Sequence, residues 1–170
     1  MAWFEPALDY VLSFEDPNHA CLTVPDVGGS SSIAGINSHD FPVAFLGLDS
    51  LPPNQRGPHV SQFYYTEFWV PMSLGMLTYQ DLANRVLDMG VNAGPQTAIR
   101  ELQMAVNALG GSVTVDGYLG TATASAANQC SLQDIIDGFR AQRVARYEEI
   151  IASNPADARF KGGWEARARA

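Results

Sequence analysis

TYQDLANRVLDMGVNAGPQTAIRELQMAVNALGG, residues 78–111, decides the fold class. Leu82, Ala83, Val86, Leu87 and Met89 recur at three- and four-residue intervals, the spacing of one helix face. Thr78, with Asp81 three residues on, reads as an N-cap and its capping-box partner. Gly90 ends or bends this helix. Pro95 suits the first turn of a second helix, whose stripe is Ile99, Leu102, Ala105, Val106 and Leu109, and Gly110-Gly111 stops it. Toward the C-terminus, Asp116-Gly117 makes a turn and Thr121 caps a small Ala-rich helix. Ser131 with Asp134 then caps a long helix with the stripe Leu132, Ile135, Ile136, Phe139, Tyr147, Ile150 and Ile151. The tail KGGWEARARA is basic and frays, with Trp164 as its anchor.

Toward the N-terminus, SQFYYTEFW (61–69) is dense in aromatics and helical. Residues 16–60 hold most of the prolines and many glycines, and no helical period survives there for long. They read as loops with a short hairpin around residues 24–37, and so long an irregular stretch is often a functional one. Residues 6–15 form a short amphipathic helix: Pro6 suits its first turn, Ala7, Leu8, Val11, Leu12 and Phe14 make its stripe, and Pro17 ends it. The chain is therefore mainly α, with one irregular segment. No repeat and no charged linker divides it, so one continuous body is expected.

The net charge is −8, and its distribution excludes several partners. Residues 1–79 carry eight acids against one base, Arg56, while residues 80–170 carry ten acids and nine bases. An acidic chain lacks the basic surface that nucleic acid needs, and the same balance argues against adhesion to anionic lipid. Cys21 and Cys130 lie far apart and the three histidines do not cluster, so neither a metal site nor a cofactor is expected. The cysteines read as buried thiols, or as a disulfide if the protein works outside the cytoplasm. The start, MAWFEPALDYVLSFEDP, has early acids and no unbroken apolar run, so it is not a signal peptide. No window approaches the ~20 apolar residues of a membrane span. Synthesis in the cytoplasm and a monomer are expected, with export by some other system if the target lies outside.

The residues that carry chemistry are Glu15, at the end of the first helix, and Asp26, in a Gly-rich turn beside Ser30, Ser31 and Ser32. Glycoside hydrolysis needs one carboxyl to protonate the leaving oxygen and a second group to stabilise charge or activate water. The acid must hold a proton near neutral pH, which burial or neighbouring negative charge favours, and Asp16 adjoins Glu15 in the acidic half. A solvated helix end followed by an Asx turn would explain the same residues. Asn92 lies four residues from Asp88 on one helix face and reads either as a substrate contact or as a cap of the next helix. Tyr64, Tyr65 and Trp69 read as sugar-stacking rings or as core. Gln103 reads as a bundle-internal hydrogen-bonding residue, and Asp116-Gly117 as a structural turn.

The sequence also resembles the glycoside hydrolase family of secretion-activator-like N-acetylmuramidases, over nearly its whole length. ALDYVLSFE is similar to that family's first helix, PDVGGSSSIAGI to its loop and FYYTEFW to its aromatic segment. LANRVLDMGVNAGPQTAIRELQMAVNALG, VDGYLGTATASA and NPADARFKGGWEAR are similar to its C-terminal part. The resemblance implies a lysozyme-like helical domain with a short β-hairpin catalytic loop, a catalytic part over 1–77 and a peptidoglycan-binding-type part over 78–170. It implies hydrolysis of the β-1,4 bond between N-acetylmuramic acid and N-acetylglucosamine, with Glu15 matching the acid, Asp26 the loop acid and Ser31 a position usually held by Thr. Asn92, Tyr65 and Trp69 are the expected substrate contacts. Peptidoglycan strands are the expected partner, reached in the periplasm or wall through a holin or a secretion system. Asp16 and Pro17 replace the family's two glycines after the acid, and the loop is longer than the family's. A non-catalytic peptidoglycan-binding or secretion-accessory protein therefore stays open, as does a glycosidase acting on chitin or chitosan.

Overall fold

The computed structural model describes residues 1–169, apart from the side chains of Val27 and Asp157. Helix α1 (Phe4–Glu15) begins two residues before Pro6 and buries Phe4, Ala7, Leu8, Val11 and Leu12. It packs on α4 (Gln80–Ala93), α4 packs on α5 (Pro95–Ala108), and α5 packs on α7 (Leu132–Ser153). These faces meet in one cluster of buried residues that runs from Ala2 to Phe139. The mainly α fold class holds, with a small antiparallel sheet as its other element.

That sheet contains β1 (Thr23–Pro25), β2 (Ser31–Ile33) and β3 (Ile36–Asn37) in sequence order. Val24 faces Ser32, and Ile33 faces Ile36. Ala34 and Gly35 join β2 to β3 with φ of +48° and +79°, the two positive values that a tight two-residue hairpin demands.

Within the stretch read as loops, two further helices form: α2 (Pro42–Asp49) and α3 (Pro53–Tyr64). Pro42 and Pro53 start helices rather than break them, since they occupy first-turn positions where the missing N–H has no helical partner, while Pro58 lies inside α3. Their apolar stripes are weak. Val43 and Leu46 of α2 face solvent, and α3 buries only Arg56, Val60 and Tyr64. Arg56, the one base of the acidic half, is a buried clamp: it donates to Cys21 O (2.8 Å), Thr23 Oγ1 (3.0 Å) and Leu51 O (2.9 Å), tying β1 to the end of α2. The aromatic segment continues α3 as a single π-helical turn, Tyr65–Trp69.

Further along, α4 starts after Tyr79, and the Thr78 N–H instead donates to Asn128 Oδ1 at 2.8 Å. Gly90 does not end α4. A Cβ there would lie 2.6 Å from the Met72 sulfur, so a larger residue would have to displace the end of that side chain. Helix α6 (Thr121–Gln129) has Gly120 rather than Thr121 at its cap, whereas Ser131 caps α7 by accepting from the Asp134 N–H at 3.2 Å. Gln103 is fully buried and holds the Asp116-Gly117 turn, donating to Asp116 Oδ1 (2.8 Å) and accepting from the Gly117 N–H (2.9 Å). The tail is helical over residues 161–169. After a 3-10 turn over Pro155–Phe160 it forms α8 (Lys161–Arg169), with Trp164 stacked on Tyr147 of α7 at 5.1 Å. Both cysteines are free thiols, and among the described residues no helix is long and apolar enough to cross a membrane.

Candidate active site

Glu15 closes α1 and its carboxylate comes against the β2–β3 turn. A Cβ on Gly35 would lie 2.9 Å from Glu15 Cγ, 3.0 Å from Glu15 Cδ and 2.7 Å from Tyr64 Oη. The close approach and the left-handed backbone both demand glycine. The Tyr64 hydroxyl donates to Ala34 O at 2.8 Å, pinning the turn to α3. Burial, and then the Glu15 charge, push the Tyr64 pKa well above the ordinary tyrosine value, so it remains a donor. Asp16 belongs to the next turn, where it accepts from the N–H groups of Ala20 (3.1 Å) and Cys21 (2.8 Å).

Beyond Glu15 the structure contains a buried ionic chain that the sequence reading did not foresee. Arg167 of α8 donates to Glu15 Oε1 at 2.7 Å, and its Nε donates to Asp88 Oδ1 at 2.8 Å. Asp88 also accepts from Arg143 of α7 at 3.0 Å, with both side chains almost wholly buried. The Tyr147 hydroxyl continues the chain, accepting from Arg143 (3.4 Å) and donating to Asn92 Oδ1 (3.3 Å). Two carboxylates and two guanidiniums thus alternate and balance, which is how buried charge is tolerated. Burial works against the Arg167 charge, but the Asp88 and Glu15 carboxylates outweigh it and hold its pKa above the ordinary arginine value. The guanidinium also sits over the Phe14 ring, 5.1 Å from its centroid. Asp16 adjoins Glu15 in sequence, but its carboxylate turns to the N–H groups of Ala20 and Cys21 instead. The nearest charged partner of Glu15 is a cation 152 residues away in sequence, delivered by the tail.

Asp26 occupies the far end of the hairpin. Asn37 of β3 donates to Asp26 Oδ2 (2.6 Å) and to Ser30 Oγ (3.0 Å). Ser31 is half-buried and its N–H donates to Ser38 Oγ at 3.0 Å, while Ser32 is buried in the sheet. Gly28, Gly29, Ser30, Asn37 and His39 line an open, polar cleft of about 590 Å³ here. Glu15 does not line it. The two acids are joined through the hairpin, Glu15 against Gly35 and Asp26 against Asn37 two residues on. A second cavity, about 490 Å³, is lined by Phe14, Asn92, Phe160, Trp164 and Arg167.

Of the expected substrate contacts, Asn92 thus joins the Glu15 neighbourhood, as a residue inside α4 rather than a cap. Tyr65 and Trp69 do not. Both pack against Phe4, at 5.1 and 5.7 Å between ring centroids, at the start of α1. Helical rise puts that about 16 Å from Glu15. Trp69 is also buried, so its faces serve the core. Arg167 and Arg143 were the residues missed. The only sequence signal for Arg167 was the likeness of NPADARFKGGWEAR to a known C-terminal segment. Among the described residues no group of three or more His, Cys, Asp or Glu side chains is placed to hold a metal ion.

Compared with known proteins, residues 97–169 match the family described as "Predicted Peptidoglycan domain". A search of curated proteins finds no match. Among solved structures the chain is similar to that of SagA from Brucella abortus, with a TM-score of 0.70 and 20% sequence identity over 98% of this chain and 89% of that one. At that identity the likeness shows a shared fold.

Proposed function

We propose that this protein is a peptidoglycan hydrolase, an N-acetylmuramidase in which Glu15 is the general acid. The observation that carries this reading is the placement of Glu15: a partly buried carboxyl at a helix end, against the Gly35 hairpin turn and bonded to Arg167, which lines a cavity with Phe14 and Asn92. The peptidoglycan domain match over residues 97–169 supports the substrate class. Glu15 donates a proton to the glycosidic oxygen, and Asp26, oriented by Asn37, stabilises developing positive charge or activates water. Ser31 borders the same loop. Arg167 bonds Oε1 of Glu15, which leaves Oε2 to carry the proton and donate it. Asp88 keeps Arg167 in place.

That contact also favours a second reading, a wall-binding protein on the same fold whose Glu15 is permanently engaged by Arg167. Digestion of purified sacculi, with mass analysis of the fragments, separates the two. New muramic-acid reducing ends support the muramidase. Retention on sacculi without any release supports the binding protein, and cleavage of chitosan but not of sacculi moves the reading to a chitosan-type glycosidase.

A further inference from the structure

Between α5 and α7, away from Glu15, lies a cavity of about 250 Å³ with Glu101 in its wall. Glu101 is 1% exposed, and neither of its carboxylate oxygens accepts a hydrogen bond. Arg146 Nε comes to 3.7 Å of Oε1, too far for one, and that Nε has no hydrogen-bond partner either. A buried carboxylate without donors is costly, and such groups in native folds call for a missing partner. The cavity's charged lining consists of Arg100 and Arg146 on one side of the balance and Glu101 and Glu149 on the other. Two cations and two anions suit neither a pure anion nor a polyamine. They suit a ligand that carries an ammonium and a carboxylate together. The volume lies just below the usual range of small-molecule pockets, about 300–1,000 Å³, and fits a ligand of amino-acid size. No aromatic ring lines it, so a sugar finds no stacking face.

We infer that this cavity binds the free amino-acid head, ammonium plus carboxylate, of the diamino acid in peptidoglycan peptide stems. The ammonium is received by Glu101 and the carboxylate by Arg100 and Arg146. Every lining residue falls within the segment that matches the peptidoglycan domain family. The inference rests on the wall-directed reading of the protein but not on the chemistry of Glu15. Burial pushes the Glu101 carboxyl up to about 7, against the lowering effect of Arg146 and Arg143 and with a smaller raising effect of Glu149. Binding of the head therefore weakens as pH falls below about 7.

The test is calorimetric titration of the full chain with meso-diaminopimelate, cadaverine and pimelate. It is repeated for Glu101→Gln, which keeps the side-chain shape, and for Arg100→Ala, whose side chain is exposed. We expect diaminopimelate to bind at least tenfold more tightly than either analogue, and each variant to lose at least tenfold. Absence of binding at millimolar ligand overturns the inference, as does equal affinity for pimelate that Glu101→Gln leaves unchanged. Retention on intact sacculi, measured in a Glu15→Gln background, should fall with Glu101→Gln, and unchanged retention overturns the assignment to wall stems. Reducing-end release by wild type is scored separately, so a failure of the muramidase reading leaves these outcomes legible.

Discussion

Replacing Gly35 with Ala should damage both the fold and the site by amounts that can be separated. The residue sits at φ +79°, and the added methyl would meet Tyr64 Oη at 2.7 Å and Glu15 Cγ at 2.9 Å. A left-handed backbone costs a non-glycine residue about 1–2 kcal/mol. Overpacking a filled contact adds about 1–3 kcal/mol. The sum, about 2–5 kcal/mol, lowers the Tm by roughly 4–20 °C at about 2–4 °C per kcal/mol for a chain of this size. Gly110→Ala is the control: φ is +90° there, but nothing lies within 4 Å of the added atom, so only the backbone cost of about 1–2 kcal/mol applies. Reversible urea unfolding of both variants measures the difference, about 1–3 kcal/mol, which is the steric part. The methyl also displaces the Glu15 carboxyl, and a misplacement of about 1 Å can cost a catalytic group roughly a hundredfold in rate. Reducing-end release should therefore collapse in Gly35→Ala and persist in Gly110→Ala. Equal stability losses in the two variants, or undiminished release by Gly35→Ala, would refute the contact between hairpin and acid.

Further outcomes follow from the buried charges. Arg143→Met removes one of the two cations bonded to the fully buried Asp88 and should cost about 3–5 kcal/mol by urea unfolding, whereas a loss below about 1 kcal/mol would mean the pair is not buried as described. Arg167→Met frees Glu15 from its guanidinium while Arg143 still serves Asp88, so wall digestion per folded molecule should rise; a fall would show that Arg167 helps catalysis rather than restrains the acid. The Glu101 carboxyl is held up to about 7, so the folded state takes up that proton before the unfolded chain does. Its contribution is present at low pH and is lost as pH rises from the ordinary carboxylate range through about 7. At about 1.4 kcal/mol per pKa unit the loss is bounded at about 3 kcal/mol. Wild type should thus lose stability between about pH 5 and pH 8 relative to Glu101→Gln, and parallel curves would contradict the burial.

The helices over 80–93, 95–108 and 132–153 were legible because their apolar residues recur on one face and their ends carry proline, glycine or serine. Pro95 and Ser131 behave as local chemistry dictates. The helices over 42–49 and 53–64 were hidden because Pro42 and Pro53 start them, because Pro58 lies inside α3, and because α3 buries an arginine where a pattern reading seeks a hydrophobe. The short sheet was legible from its glycines, and the Ala34-Gly35 turn lies inside the expected hairpin. For the site, Glu15 could be read as a helix-end acid, but its environment could not. Local sequence shows Asp16 beside it, while the charge that touches it comes from Arg167 at the other end of the chain. The place of Tyr65 and Trp69 was hidden for a related reason: an aromatic cluster signals a packed face, and only the fold shows which end of α1 it covers.

The most direct measurement is reducing-end release from purified sacculi by wild type and by Glu15→Gln, with the unfolding curve of each recorded alongside. The amide keeps the side-chain shape and an oxygen for Arg167, so both proteins should be folded. The account predicts muramic-acid reducing ends from wild type and none above background from Glu15→Gln. Release by Glu15→Gln at the wild-type rate would contradict it and remove Glu15 from the chemistry.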